Sequence, residues 1–255
     1  MVTAVALWGA NHTDHDRLAV TSVGRVAALA LDRGRHPKRY TYTDANEDVA
    51  AAVLRGDRLV LAVADGHTGR ESSDVAVGEV LRWAGHDLPD EIDDDLLIDL
   101  FHAAGRVVHG VTSDPACPHP ESRTTLVVAV LGAGRLDWAS IGDSALCLGG
   151  PTRVARLDRP RNRFLGGPMS RRDVARTVDR GHLPLASDDV VVLASDGVVD
   201  FVGDPTAAVA RALGASRLAG VARALARAAF DGGAGDNVAI AAGRLPGAAV
   251  GAVDP

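Results

Sequence analysis

The sequence predicts an α+β layered sandwich of antiparallel strands and helices. Short apolar runs recur along its 255 residues and stop on turn residues, as buried strands do. Several runs are joined by brief Gly-bearing turns, so neighbouring strands should pair antiparallel. Helical periodicity is confined to two pairs of segments, one after the run that ends at Asp65 and one before the last strand.

Residues 1–18 begin with a short apolar stretch. They continue into Asn11-His12-Thr13-Asp14-His15-Asp16, which reads as a solvated loop in preference to a metal site. Residues 19–32 alternate loosely and predict a strand with Val23, Val26 and Leu29 in the core. Residues 33–45 are polar, include His36-Pro37 and form a loop. Asn46-Glu47-Asp48 precedes the run 49–54, and the Arg55-Gly56-Asp57-Arg58 turn joins that run to 60–64 in a hairpin. Beyond Gly69, Val77, Val80, Leu81 and Ala84 recur at helical spacing, and so do Leu97, Leu100, Phe101, Ala104 and Val108. The acidic run 90–95 lies at the second helix's N-terminus, where the helix dipole favours negative charge.

Residues 111–121 hold three prolines and form a loop. A hairpin of 124–131 and 136–141 follows around Gly132-Ala133-Gly134. Gly142-Asp143-Ser144 interrupts before a short strand at 145–148. Residues 151–182 carry nine arginines against three aspartates without a clear period. They read either as a solvated loop with short structure or as a segment that attracts an anionic substrate. Residues 190–194 are another apolar run, ending on Ser195-Asp196-Gly197. Pro205 opens one helix, and Leu218, Val221, Ala222, Leu225 and Ala229 line the next. A glycine-rich turn at 231–235 delivers Asp236-Asn237 to a last strand at 238–242.

With 47% hydrophobic residues and 4% aromatics, the chain should fold as one domain with a core of Ala, Val and Leu. The motif-bearing part spans about 19–243, with 1–18 and 246–255 peripheral. A net charge of -6 argues against general nucleic-acid binding. Cys117 and Cys147 make no disulfide framework and read as free thiols. No apolar run approaches the roughly 20 residues that span a membrane. The expectation is a soluble, cytoplasmic monomer.

Asp65-Gly66 and Asp196-Gly197 end apolar runs far apart in sequence. Glu47-Asp48, Asp143 and Asp236-Asn237 fall at strand ends or turns as well. Carboxylates crowded together stay ionised only with cations between them. An oxygen-rich site without clustered Cys or His suits two Mn²⁺ or Mg²⁺ ions, which can activate a water and clamp a phosphoryl group for in-line attack. Histidine is the side chain suited to proton transfer near neutrality, so His67 reads as an acid–base group or as a surface turn residue.

In this order, Asn46-Glu47-Asp48, Asp65-Gly66-His67-Thr68-Gly69, Thr124-Thr125, Gly142-Asp143-Ser144, Ser195-Asp196-Gly197 and Asp236-Asn237 resemble the motifs of the metal-dependent protein phosphatases, also called protein phosphatase type 2C. The resemblance spans residues 46–237. It implies a four-layer α-β-β-α sandwich with the metals between two antiparallel sheets. It also implies that Asp65 bridges two ions, that Asp196 and Asp236 complete the first, and that Glu47 and the Gly66 carbonyl serve the second. Asp48 would orient the nucleophilic water, His67 would be the general acid, and Asp143 and Asp200 would hold a third, looser ion.

Three departures from the family pattern stand out. The arginine usually found three residues before the Asn-Glu-Asp motif, which binds substrate phosphate, is replaced by Thr43. Arg123, where glycine is usual, or Arg39 is expected to supply that contact. The segment between Ser144 and Ser195 lacks the usual Asp-His-Ser stretch, so its substrate-shaping flap should be reduced or rebuilt around the arginines of 153–180. Residues 1–45 are longer than a minimal catalytic domain needs. The function so implied is hydrolysis of phosphoserine or phosphothreonine in proteins by direct attack of water. A small phosphate ester as substrate, or a non-catalytic scaffold, is the alternative.

Overall fold

The computed structural model describes residues 1–36, 44–86, 88–151 and 153–247. Strand β1 (Val2–Trp8) leads into a 3₁₀ turn at Gly9–Asn11. Strands β2 (Ala19–Val23) and β3 (Ala27–Asp32) follow, then β4 (Val49–Arg55), β5 (Arg58–Ala64) and the two-residue β6 (Gly66–His67). Helices α1 (Glu71–His86) and α2 (Asp94–Thr112) precede β7 (Arg123–Thr124), β8 (Leu126–Gly132), β9 (Arg135–Ile141) and β10 (Ala145–Gly149). Strand β11 (Val154–Arg156), helix α3 (Arg171–Thr177), and strands β12 (Asp179–Pro184) and β13 (Val190–Ala194) come next. The chain closes with α4 (Asp196–Val199), α5 (Pro205–Ala212), α6 (Leu218–Asp231) and β14 (Val238–Gly243).

The strands form two six-stranded sheets, in the orders β1-β4-β5-β8-β9-β12 and β11-β10-β13-β14-β3-β2, with β6-β7 as a small third sheet. Every described pairing is antiparallel. The two-residue period of the strands sorts side chains into three cores. Leu59, Leu61 and Val63 of β5 face the second sheet, where Leu29, Leu31, Val191 and Leu193 meet them. Val60, Ala62 and Ala64 face α1 and α2. Val190, Val192 and Ile240 face α5 and α6. The result is the predicted α-β-β-α order, and Ala makes up half of the buried cluster between the second sheet and α5 and α6.

Local signals explain most boundaries. Asp93 caps α2 by accepting from Leu96 N at 2.8 Å, with Asp94 and Asp95 in the first turn. The β8–β9 hairpin turns on Ala133 and Gly134, both at positive φ (49° and 73°), as a two-residue turn matched to strand twist requires. Residues 19–32 are two strands, not one, because Gly24 at φ 52° turns the chain back between β2 and β3. Residues 2–8, set aside as peripheral, supply the edge strand of the first sheet by pairing along the whole of β4. The 151–182 segment is no simple loop: β11 joins one sheet, β12 the other, and α3 falls between them in the chain.

His182 on β12 lies between two carboxylates, with Nδ1 2.7 Å from Asp137 Oδ1 and Nε2 2.8 Å from Asp94 Oδ1. Partial burial works against its charge and Arg135 Nη2 stands 3.0 Å from Nδ1, but the two carboxylates prevail and raise the pKa. A histidine whose folded pKa is raised adds stability that is complete below its unfolded pKa and is lost as pH rises through the folded one. The melting temperature should therefore fall slightly as pH rises above the ordinary histidine value of roughly 6.5, a small step because the pair is partly solvated. Thermal scans of His182→Asn should lack that step.

Candidate active site

Both Asp-Gly runs deliver their aspartates to the same edge of the sandwich. Asp65 follows β5 and is buried. Three hydroxyls fix it. Thr124 Oγ1 donates to Asp65 O at 2.9 Å, Asp65 N donates to Thr125 Oγ1 at 3.0 Å, and Thr125 Oγ1 lies 2.8 Å from Ser144 Oγ. The Thr124-Thr125 pair therefore positions the Asp65 backbone. Asp196 opens α4 behind β13. There Ser195 exchanges bonds with β14, its N donating to Ala239 O at 3.0 Å and its Oγ accepting from Ala239 N at 2.9 Å.

The carboxylates act on one another. Asp65 is held well above the ordinary carboxylate range, first by burial and then by the charges of Asp48, Asp196 and Asp236. Asp196 is pushed up to about 6, again by burial first and then by Asp236, with Asp143 and Asp200 adding to it. Asp65, His67 and Asp143 bring ligand atoms within 4.8 Å of one another. His67 Nε2 stands 4.0 Å from Asp65 Oδ2. Asp65 Oδ2 and Asp143 Oδ1 are buried and meet no hydrogen-bond donor among the described residues. Buried oxygens that face other carboxylates instead of donors fit a hard divalent cation.

Glycine is required where the backbone is tightest. A Cβ on Gly66 would stand 2.6 Å from Glu47 O, and one on Gly197 would stand 1.9 Å from Asn237 O. Glu47 is buried, and its Oε1 accepts from Gly69 N at 2.5 Å. Asp48 is buried; its N donates to Asn46 Oδ1 at 3.2 Å and its O accepts from Gly9 N at 2.9 Å. The N-terminal segment thus reaches the site. Asp236 accepts from Asn237 N at 2.8 Å. Arg123 pairs with His67 across β6–β7. Its guanidinium lies 5.1 Å over the Phe164 ring, which meets His67 edge-on at 4.7 Å. Arg39 and Thr43 lie outside the described residues.

Two residues here carried no role in the sequence reading. Asn237 is buried and ties three segments together. Its Oδ1 accepts from Glu47 N at 3.0 Å, and its Nδ2 donates to Arg33 O at 2.7 Å and Ala45 O at 3.1 Å. Asp32 ends β3, is buried, accepts from Gly34 N at 2.8 Å and has its pKa raised, chiefly by burial. The Asp-Asn pair had signalled Asn237, but only as part of a motif. A second group, Asp44, Glu71 and His119, packs against Gly69, with His119 Nδ1 3.0 Å from Glu71 Oε1. It links the α1 N-terminus to the loop that precedes Glu47.

The family model of protein phosphatase 2C matches residues 37–228, well over half of the chain. The chain belongs to the protein phosphatase 2C family. No curated protein sequence matches it. Among solved structures it is similar to the catalytic domain of the serine/threonine protein phosphatase PstP in complex with two manganese ions, at 21% identity and a TM-score of 0.69, over 90% of this chain and 99% of that one. It is also similar to the Mycobacterium tuberculosis serine/threonine phosphatase PstP/Ppp, at 23% identity and a TM-score of 0.66, over 90% and 99%. A bacterial serine phosphatase superposes at 18% identity and a TM-score of 0.72, over 86% and 97%. These likenesses establish that the two-sheet sandwich is the protein phosphatase 2C fold.

Proposed function

We propose that this chain is a metal-dependent phosphomonoester hydrolase acting on phosphoserine or phosphothreonine in proteins. The observation that carries the proposal is the convergence of Asp65, Asp143, Asp196 and Asp236 on one edge, where the buried Oδ2 of Asp65 and Oδ1 of Asp143 meet no hydrogen-bond donor among the described residues. Similarity to a phosphatase domain solved with two manganese ions supports the choice of metal.

Asp65, Asp196 and Asp236 would hold one Mn²⁺ or Mg²⁺ ion. Asp65, Glu47 and the Gly66 carbonyl would hold a second, and Asp143 and Asp200 a third. The bound ions would supply an acidified water and offset the phosphoryl charge. Asp48, held in place by Asn46 and Gly9, would orient the attacking water. His67, braced by the Phe164 edge, would give a ring proton to the departing alkoxide oxygen as the P–O ester bond breaks.

Arg123, stacked on Phe164, would bind the substrate phosphate in place of the arginine absent at Thr43. Arg123→Ala should raise KM for para-nitrophenyl phosphate about tenfold and leave kcat within a few-fold, since it removes mainly ground-state binding. An unchanged KM would remove Arg123 from this role.

The deciding experiment is hydrolysis of para-nitrophenyl phosphate with Mn²⁺, with Mg²⁺ and with EDTA, beside Asp196→Ala and Asp65→Ala. The expected result is metal-dependent turnover that both substitutions abolish. Metal binding by calorimetry without turnover on this ester or on phosphopeptides would favour a scaffold. Neither binding nor turnover would overturn the assignment. The protein phosphatase reading over a small-ester one then rests on phosphopeptides outpacing small esters in kcat/KM.

A further inference from the structure

A cleft of about 550 Å³ is lined by Phe164, whose ring meets His67 edge-on. One wall is the C-terminal end of α2, with His109, Thr112 and Ser113. Another is formed by residues 120–123 and a third by residues 162–168. Its size is that of a site for a few side chains.

The third wall is a fixed loop. Leu165 is fully buried in the core beneath α1 and α2. It exchanges two backbone bonds of 2.8 Å with Thr124, one in each direction. A Cβ on Gly166 would stand 3.0 Å from Arg123 Cβ, so the loop packs close against β7. Arg163 and Phe164 therefore precede an anchored residue, and Phe164 touches both His67 and Arg123.

Positive charge prevails on this cleft. Of the nine arginines in residues 151–182, Arg153, Arg156, Arg171 and Arg180 are committed to carboxylates of the fold. Arg163 and Arg123 are exposed on the cleft, and neither makes an ion pair among the described residues. Glu121 is the one acid among the lining residues. An exposed guanidinium beside a rigid, partly apolar wall is suited to a carboxylate, which it can grip with two parallel hydrogen bonds.

We propose that this cleft is a subsite for acidic residues flanking the phosphorylated residue, with Arg163 as the residue that reads them. The subsite rests on the phosphatase reading above and names its substrate class: phosphopeptides with Asp or Glu beside the phosphoserine or phosphothreonine. Lying one ring away from His67, the cleft takes the chain that leads out of the reaction centre.

The test compares two phosphopeptides of equal length, one with Asp and Glu flanking the phosphothreonine and one with Ala and Gln in those places. Wild type should prefer the acidic peptide in kcat/KM by about tenfold at low salt, and less at 0.5 M NaCl. Arg163→Ala should bring the ratio near one, and Arg163→Glu should invert it. Fluorescence anisotropy of labelled peptides reads the same ratio without turnover. Equal handling of both peptides by wild type, or an unchanged ratio in Arg163→Glu, overturns the subsite. Para-nitrophenyl phosphate, which has no flanking residues, is assayed in parallel. Turnover of that ester without peptide preference sinks the subsite alone. Its absence together with lost metal binding sinks the phosphatase reading, and the anisotropy ratio still decides the subsite.

Discussion

Asp196→Asn should abolish metal-dependent turnover and, at the same time, make the metal-free protein more stable. The two effects share one cause. Asp196 has its pKa raised to about 6 by burial and by Asp236, Asp143 and Asp200. A carboxylate whose folded pKa exceeds its unfolded value destabilises the fold once it ionises. That penalty is complete above about pH 6 and vanishes as pH falls through the ordinary carboxylate range near 4. The neutral amide removes it, so the metal-free Tm should rise by about 2–5 °C at pH 7.5 and be unchanged near pH 4.

With Mn²⁺ the order reverses. A cation that binds only the folded state stabilises it by mass action, so wild type should gain several degrees in millimolar Mn²⁺ and the variant little or nothing. Asp65→Asn should behave in the same direction, because its carboxylate is more deeply buried and faces Asp48, Asp196 and Asp236. Differential scanning fluorimetry across pH 4–8, with Mn²⁺ and with EDTA, measures all of this. A metal-free Asp196→Asn protein that melts below wild type at pH 7.5 would show that the carboxylates are not in conflict.

Asn237→Ala should carry a large cost in stability. The side chain closes three hydrogen bonds, to Glu47 N, Arg33 O and Ala45 O. Its loss strands a buried amide and two carbonyls, at about 2–4 kcal/mol in total. It also frees the Glu47 backbone, so Mn²⁺ affinity should fall about tenfold or more, as it does when groups behind metal ligands are removed. Asn237→Asp keeps the acceptor, loses both donors and adds a charge beside Asp236, so it should not rescue either property. Urea denaturation and Mn²⁺ calorimetry separate the two effects. A variant with wild-type stability and wild-type Mn²⁺ affinity would refute the tether.

Some of this was written locally. Asp65-Gly66 and Asp196-Gly197 each close a short apolar run, and a run of that kind identifies a strand end from within a few residues. The amphipathic stripes of α1, α2 and α6 span several turns, long enough for the helical period to show. The turn at Ala133-Gly134 announced itself through glycine. From such signals the sequence alone determined the fold class and the strand-end aspartates, and the resemblance of its ordered motifs pointed to the protein phosphatase 2C family.

The tertiary structure decided what depends on distant partners. Strand β11 has three residues and α3 has seven, both too short to display a period, so residues 151–182 disclosed their arginines but not their strands. Strand β1 finds its register only against β4, more than forty residues later. Asn237 meets Glu47 across 190 positions, and Thr125 meets Asp65 across 60. Hydrogen bonds of that span leave no periodic trace in a sequence, because periodicity records only which face a residue turns to the core. Which acids share one charge cluster, and which arginines stay free to meet a substrate, follow from packing the two sheets face to face.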